Sequence, residues 1–392
     1  MSPCIYLDNA ATSWPKPAAM LAAMNDFNAN IGANPGRSGH RLSTDAARII
    51  FDARERIATL LGADDPQQLI FTRNATEGLN TILLGLLRPG DHVLTTSMEH
   101  NSVMRPLTAL REQGVETSVV PCSDSGELCL ETLAAGIRKN TRLIVMTHAS
   151  NVTGTLLPVA QVAKLAHERG ILLCVDAAQT TGCIPLDVLR DEIDLLAFSG
   201  HKSLLGPQGT GGFYVRKGLE EAIRPLAYGG TGSRSEFEEH PSFMPDRFEA
   251  GTPNTIGIAG LDASAAYVAT IGIPSIRARE IEASQMLIDG LKAIDGVRVY
   301  GPSDAARRAA VVSFTVAGIS PSDLSFALDE GFGILARAGL HCAPSAHRTI
   351  GTFPEGTVRF SLSPHTTRDE IATAIRAVAT LADQRIPREA TS

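Results

Sequence analysis

Beyond about residue 40 the apolar positions of the chain fall into two patterns that take turns. Short, nearly continuous apolar runs occur at Gln68–Thr72, His92–Thr96, Glu116–Pro121, Arg142–Thr147, Ile171–Asp176, Leu195–Ser199 and Gly212–Val215. Between them, apolar residues three and four apart predict helices over Thr44–Leu61, Ala75–Leu87, Ser102–Gln113, Leu130–Lys139 and Val159–Arg169. Strands that alternate with amphipathic helices are the signature of βα units, in which helices cover both faces of a mainly parallel sheet. Seven such strands predict one large α/β domain running to about residue 260.

Past that point the order of elements changes. Helical patterns at Ile256–Ile271 and Pro274–Ile294, the second opening on a proline suited to a first helical turn, lead into strands near Val297–Tyr300 and Ala310–Val316. A helix at Ser322–Glu330, strands near Ile334–Arg337 and Thr357–Ser361, and a last helix at Arg368–Leu381 predict a smaller α+β domain packed on the first. The polar tail from Asp383 is expected to fray. No internal repeat, low-complexity tract or long linker interrupts the 392 residues, so the two domains are expected in close contact.

Composition narrows the class. With 44% hydrophobic and 20% charged residues the chain reads as an ordinary soluble protein rather than a disordered one. Its net charge of -7 offers no basic footprint for nucleic acid. The start, MSPCIYLDNAATS, has neither a basic opening nor a long apolar core, so no secretory signal is expected. The most apolar long stretch, Thr255 to Ile273, is interrupted by Asp262 and is too weak for a membrane span. Six cysteines without a C-x-x-C pair are too few for a disulfide scaffold, which points to a reducing, cytoplasmic setting. Cys122 and Cys129 stand too far apart for a metal knuckle, and Cys342 with His347 is only a pair, so no metal is expected. Nine of the 35 glycines lie between Gly200 and Gly232, a cluster read as flexible surroundings for the chemistry that opens it.

In open α/β sheets ligands bind beyond the carboxyl ends of the strands, so the residues after each apolar run carry the functional signal. Arg73-Asn74-Ala75-Thr76-Glu77-Gly78 opens a helix whose free N–H groups and Thr76 hydroxyl suit a phosphate, or which is simply capped. Asp176 ends a nearly all-apolar strand, where a carboxylate is costly without a positive partner, although taken alone the residue is slightly better explained by a local Asx-turn. Ser199-Gly200-His201-Lys202-Ser203 follows the next strand, and its lysine is either a solvated loop residue or an amine able to form a Schiff base. Taken together, a strand-end acid, a strand-end lysine and a phosphate-competent helix start match the needs of pyridoxal phosphate. His100, after the His92–Thr96 strand, is then positioned to stack on the cofactor ring.

The motifs Tyr6-Leu7-Asp8-Asn9-Ala10-Ala11-Thr12, Ala75-Thr76-Glu77-Gly78, Glu99-His100 and Ser150-Asn151-Val152-Thr153-Gly154 follow one another along the chain. Asp176-Ala177-Ala178-Gln179, Ser199-Gly200-His201-Lys202, Phe248-Glu249-Ala250-Gly251-Thr252-Pro253 and Arg337-Ala338-Gly339-Leu340-His341-Cys342 complete the set. In this order they resemble the class V aminotransferases of pyridoxal-phosphate fold type I, and within them the cysteine desulfurase and selenocysteine lyase group. The resemblance implies a large domain at 16–260 with a seven-stranded, mainly parallel mixed sheet. It implies a small α+β domain made of 1–15 and 261–392. Lys202 is implied as the Schiff-base lysine, Asp176 at the pyridine nitrogen, Gln179 at the ring hydroxyl and His100 over the ring. Ala75, Thr76, Ser199 and His201 are implied around the phosphate, with Thr252 reaching it from a second subunit of a homodimer. Asn151, Arg337 and Arg359 are implied at the substrate, and an arginine fork suits a carboxylate because it donates two parallel hydrogen bonds.

Cys342 separates the possible reactions. Its R-x-G-x-H-C context resembles cysteine desulfurases in which this cysteine takes the substrate sulfur as a persulfide. A free thiol with a pKa of ~8.5 is only about 3% thiolate at pH 7, so a nearby cation or base helps, and His341 and Arg337 are adjacent in sequence. The bland alternative, a small buried hydrophobe, is the reading for Cys174. The continuation Ala343-Pro344-Ser345-Ala346-His347-Arg348-Thr349-Ile350-Gly351 departs from the usual desulfurase pattern, which bears on substrate choice and on the sulfur- or selenium-acceptor protein. The implied reaction is conversion of L-cysteine to L-alanine. L-selenocysteine lyase and C–S β-lyase activities are the alternatives. A nucleotide-binding module is disfavoured, because Gly200-His201-Lys202-Ser203 lacks the G-x-x-x-x-G-K-[ST] spacing and no G-x-G-x-x-G opens the first βα unit.

Overall fold

In a computed structural model, which describes residues 4–36 and 38–384, all seven apolar runs become strands of one sheet, with ends within a residue of those expected. The chain opens with β1 (Ile5–Tyr6), α1 (Ala18–Asp26), a π-helical turn at Phe27–Ile31 and α2 (Arg41–Leu60). The α/β stretch follows as β2 (Leu69–Thr72), α3 (Ala75–Leu86), β3 (His92–Thr96), α4 (Asn101–Arg111), β4 (Glu116–Val120) and α5 (Leu130–Ala135). It continues through β5 (Thr141–Thr147), α6 (Val159–His167), β6 (Leu172–Asp176), β7 (Leu195–Ser199) and β8 (Gly211–Val215). The strand order is β2-β8-β7-β6-β5-β3-β4. Every neighbouring pair is parallel except those involving β8, which runs antiparallel to both β7 and β2.

Both faces of this sheet are covered, which is why its strands read as continuous apolar runs rather than alternating ones. The period of two is still visible in the packing. Leu196 and Phe198 of β7 and Leu173 and Val175 of β6 enter one core, while Leu195, Ala197 and Cys174 enter the core on the opposite face. Cys174 is fully buried, as a small hydrophobe would be. The helix expected over Leu130–Lys139 stops at Ala135, where Gly136 forms the C-cap.

The rest of the chain supplies α7 (Thr255–Ile271), α8 (Ile273–Lys292), β9 (Val297–Tyr300), β10 (Val311–Val316), α9 (Pro321–Phe332), β11 (Ile334–Leu335), β12 (Arg337–Gly339), α10 (Pro344–Thr349), β13 (Thr357–Ser361) and α11 (Arg368–Asp383). An antiparallel sheet of order β12-β13-β10-β9 forms a second core with α8, α9 and α11, centred on Phe314 and Phe360, whose ring centroids lie 4.9 Å apart. The single strand expected over Ile334–Arg337 divides in two. Ile334 and Leu335 pair in parallel with Ile5 and Tyr6 of β1, whereas Arg337 to Gly339 pair with β13. Only tertiary pairing separates these pieces, because their apolar pattern is continuous. Helices α1 and α10 also escape sequence patterning: α1 carries no clear apolar stripe, and α10 is six residues long. Helix α7 meets α8 at 76°, and among the described residues no single helix is long and apolar enough to cross a membrane.

Within the glycine cluster Gly200, Gly206, Gly211 and Gly212 serve close packing, whereas Gly218 faces open space. A side-chain carbon at Gly212 would lie 2.4 Å from the Ile70 carbonyl oxygen and 2.6 Å from the Phe198 ring. At Gly206 it would lie 2.9 Å from the Gly200 carbonyl, which accepts the Gly206 N–H at 2.8 Å. The chain after β7 therefore folds back onto itself with no room to spare. Gly212→Ala should overpack β8 and lower stability by about 1–3 kcal/mol, read as a shift of the denaturant midpoint of cofactor-free protein. An unchanged midpoint would contradict this account of the cluster.

Candidate active site

Because β5, β6 and β7 are parallel, their carboxyl ends open on the same edge of the sheet. Asp176 closes β6 beside Ala197 of β7, and Ser199 closes β7 directly before Gly200-His201-Lys202. Across the cleft α3 begins at Asn74, whose side chain accepts from Glu77 N at 3.0 Å and leaves the first helical N–H groups facing other partners. The Ala75 N–H donates to Ser199 Oγ at 3.2 Å. These ends surround a cavity of about 190 Å³ lined by Ala75, Thr76, Ser199, His201 and Lys202. His100, Asn151, Asp176 and Gln179 complete its functional lining. Nine residues selected from separate stretches of sequence thus meet in one space.

Hydrogen bonds orient several of them. His100 Nδ1 accepts the Ser102 N–H at 3.0 Å, so the ring proton resides on Nε2. Ser102 Oγ lies 2.8 Å from the same nitrogen and 2.7 Å from Thr76 Oγ1, tying the imidazole to the start of α3. Gln179 Nε2 donates to the Ala10 carbonyl at 3.1 Å. Asp176 accepts the Ala178 N–H at 3.0 Å. His201 Nδ1 is buried with no partner.

Dehydration dominates the electrostatics. Burial pulls the Lys202 ammonium down to about 8, further helped by Arg359 and Arg337, while Asp176 opposes the shift. Burial raises the Asp176 carboxyl, with the Ala178 N–H and the Lys202 charge acting against it. His100 and His201 are each depressed to about 4, first by burial and then by Lys202. Glu99, fully buried next to His100 in sequence, is pushed up to about 8 by burial even though it accepts from Thr96 Oγ1 at 2.5 Å. Burial thus shifts the lysine down and the acids up, toward the pH range in which they exchange protons, a perturbation typical of sites that handle protons.

A second layer lies on the small sheet. Arg337 and Arg359 stand directly opposite each other across β12 and β13. Like charges at such a position repel, so the pair calls for an anion. Asp8 supplies one carboxylate at 2.7 Å from Arg359 Nη2, and Nη1 donates to the Asn151 carbonyl at 3.1 Å, which leaves Nε buried and unpartnered. Arg337 Nη2 approaches Cys342 Sγ to 3.5 Å, and the thiol is exposed. Asn151 Nδ2 donates to the His341 carbonyl at 2.7 Å, linking the cavity wall to the cysteine loop.

Arg337, Arg359 and Cys342 therefore sit beyond the cavity lining rather than in it. Thr252 is exposed, accepts from Asn34 Nδ2 at 3.1 Å and lies outside the lining. Sequence reading missed Asp8 as the partner of Arg359 and Ser102 as the link between His100 and Thr76. It also missed Lys16, whose Nζ donates to Ser13 Oγ and to the His201 carbonyl at 2.8 Å each. The Ser102 signal was present, since a serine two residues past a histidine at a helix start is a recognisable capping arrangement. The other two depend on contacts distant in sequence. Among the described residues no group of three or more His, Cys, Asp or Glu side chains is arranged to hold a metal ion.

The cavity suits pyridoxal phosphate. A void of roughly 150 Å³ accepts benzene, so 190 Å³ admits a substituted pyridine ring. The orphaned His201 nitrogen and the start of α3 offer donors to a phosphate, Asp176 an acid for a ring nitrogen, and Lys202 a readily neutral amine for an aldehyde.

Comparison with known proteins agrees with this geometry. The aminotransferase class-V family profile matches residues 5–373. A probable cysteine desulfurase from Methanothermobacter thermautotrophicus is 36% identical over 372 residues, covering 94% of this chain and 92% of that protein. One from Halobacterium salinarum is 37% identical over 381 residues, covering 95% and 90%. The apo structure of a cysteine desulfurase from Thermococcus onnurineus superposes with a TM-score of 0.92 at 34% identity, over 97% of this chain and 95% of that one. An Escherichia coli cysteine desulfurase in an S-sulfonic acid form superposes with a TM-score of 0.87 at 30% identity, over 98% and 96%.

The depressed Lys202 ammonium has a measurable consequence. As pH rises through about 8, Lys202 of cofactor-free protein loses its proton, whereas a solvated lysine stays charged to about 10. Competitive acetylation mapped by mass spectrometry should give Lys202 a reactivity midpoint near pH 8, with surface lysines still rising above it. A Lys202 midpoint near 10 would show that burial does not govern this amine.

Proposed function

The chain belongs to the aminotransferase class-V family, and from that premise we propose that it is a pyridoxal 5′-phosphate-dependent cysteine desulfurase that converts L-cysteine to L-alanine and leaves the sulfur on Cys342 as a persulfide. The observation that carries this reading is the exposed Cys342 thiol 3.5 Å from the Arg337 guanidinium, on a loop that Asn151 of the cavity wall ties to the space lined by Lys202 and Asp176. The relatives named cysteine desulfurase, aligned over nearly the full chain, support it.

Each residue then has a defined task. When bound, the cofactor withdraws electrons from the substrate Cα; Asp176 pairs with its ring nitrogen, and Thr76, Ser199, His201 and the α3 N–H groups hold its phosphate. Gln179 and His100 fix the orientation of the ring. Arg359, with its unpartnered Nε, and Asn151 receive the substrate carboxylate, and Asp8 holds the guanidinium in position through Nη2. Lys202, whose ammonium burial lowers to about 8 so that it gives up its proton more readily than a solvated lysine, removes the proton from Cα and can return it to the product. The Cys342 thiolate attacks the substrate sulfur and its electron pair forms the S–S bond; the C–S bond breaks with its electron pair going to the substrate Cβ, which takes up a proton to complete alanine. Arg337 Nη2, 3.5 Å from Cys342 Sγ, donates toward the sulfur and holds it in place for attack. The overall step, cysteine plus enzyme thiol to alanine plus enzyme persulfide, is balanced without an external oxidant.

Thr252, exposed in its own chain, is assigned to the phosphate site of a second copy in a homodimer. A reducing, cytoplasmic setting keeps Cys342 free, and a thiol or an acceptor protein then removes the sulfur.

Lys202→Ala should reduce turnover by about 10²–10⁴-fold. Cys342→Ala should abolish the protein-bound persulfide and alanine release from L-cysteine, with binding of substrate retained as a shift in cofactor absorbance. Full alanine and sulfide production by Cys342→Ala would refute the persulfide route; pyruvate with ammonia would identify β-elimination. Retained turnover of L-selenocysteine alone in that variant would identify a selenocysteine lyase.

A further inference from the structure

Behind Cys342 the chain buries two imidazoles that the proposed reaction does not use. His341 is 2% exposed and His347 is not exposed at all. His341 Nε2 lies 3.3 Å from the Arg337 carbonyl, His341 Nδ1 lies 3.3 Å from His347 Nε2, and His347 Nδ1 lies 2.7 Å from Thr352 Oγ1. The rings are stacked within 23° of parallel, with centroids 5.4 Å apart. Every ring nitrogen is engaged.

The direction of each bond follows from one end. A carbonyl oxygen only accepts, so His341 Nε2 carries the hydrogen that bonds Arg337. His341 is held well below its ordinary value by burial and by Arg359, and His347 is held at about 4 by burial, so both rings are neutral. His341 Nδ1 therefore accepts, His347 Nε2 donates to it, and Thr352 Oγ1 donates to His347 Nδ1. The chain of hydrogen bonds runs in one direction, from the Thr352 hydroxyl to the backbone of the residue whose guanidinium touches Cys342 Sγ.

The backbone that this chain supports is strained. His341 and Cys342 both adopt left-handed conformations, with φ of 50° and 57°, which residues with a Cβ rarely do in succession. The Asn151 side chain holds the His341 carbonyl, and the Asn101 N–H holds the Cys342 carbonyl at 2.8 Å. His347 adds the only side-chain link from α10 into this turn among the described hydrogen bonds. It also belongs to the stretch after Cys342 that departs from the usual desulfurase pattern.

We propose that Thr352, His347 and His341 form a positioning relay that locks the left-handed turn and holds Cys342 Sγ and the Arg337 guanidinium as one rigid unit facing the substrate. His347 and Thr352 are positioning residues; neither contacts the cavity. The relay rests on Cys342 being the sulfur acceptor, but its mechanical effect on the thiol can be measured without turnover.

Holoenzyme carrying His347→Leu loses both ring nitrogens, whereas the His347→Gln amide can still donate to His341 Nδ1. In His347→Leu, kcat for alanine formation should fall about tenfold with KM for L-cysteine and cofactor absorbance preserved, and His347→Gln should recover most of the loss. Iodoacetamide labelling of Cys342, followed by mass spectrometry, should change in rate by about fivefold or more in His347→Leu and little in His347→Gln. Equal behaviour of the two variants, or a labelling rate in His347→Leu matching wild type, would overturn the relay. Should His347→Leu fail to fold, Thr352→Val against Thr352→Ser decides by the same readouts, with only valine expected to impair the enzyme. If L-cysteine proves not to be a substrate, the labelling comparison alone judges the relay.

Discussion

Asp176 and Lys202 bring opposite charges to one cavity, just past or at the ends of two adjacent strands that are otherwise apolar. Neither group is stable as an isolated ion there, and burial shifts each toward its neutral form while the other opposes that shift. Much of the surrounding architecture follows from keeping this pair dry and properly spaced. The parallel register aligns β6 with β7, the tight glycine turn after β7 folds the chain back on itself around the lysine's segment, and α3 closes the far wall with its Ala75 N–H bonded to Ser199 Oγ.

The second sheet contributes a different kind of constraint. It aligns two arginines opposite each other and neutralises one of them with Asp8, which leaves a positive field between the cavity and Cys342. Such a field suits both a substrate carboxylate and a thiolate. In the proposed reaction the work divides between layers: proton handling falls to the large sheet, and anion handling to the small one. Asn151 joins them, since its amide lines the cavity while donating to the backbone beside Cys342.

The cysteine turn is where the chain tolerates strain. Two consecutive left-handed residues persist because hydrogen bonds from Asn151, Asn101 and the His341–His347 pair constrain the turn from several sides. A mobile loop could sample the same position of the sulfur, but it would not keep Arg337 alongside. The fully buried Arg308, whose guanidinium is met by the carbonyls of Pro302, Tyr300 and Val311 rather than by a carboxylate, shows the same reliance on backbone oxygens elsewhere in this half of the molecule.

The sequence by itself determined the elements whose signal is local. Apolar runs and helical periods located every strand of the large sheet within a residue, and the residues after those runs drew attention to Asp176, Lys202 and His100, which the structure brings to one cavity, because a polar group just past a buried strand stands out against its neighbours. The ordered motifs then carried the family. What only the tertiary structure decided depends on segments far apart in the chain. The division of Ile334–Arg337 between two sheets, the Asp8 partner of Arg359, the role of the glycine cluster in close packing and the neutral histidine pair behind Cys342 all arise when distant backbones come within hydrogen-bonding or van der Waals distance. Local composition carries no record of such contacts, since the same residues in another pairing would leave the apolar pattern unchanged.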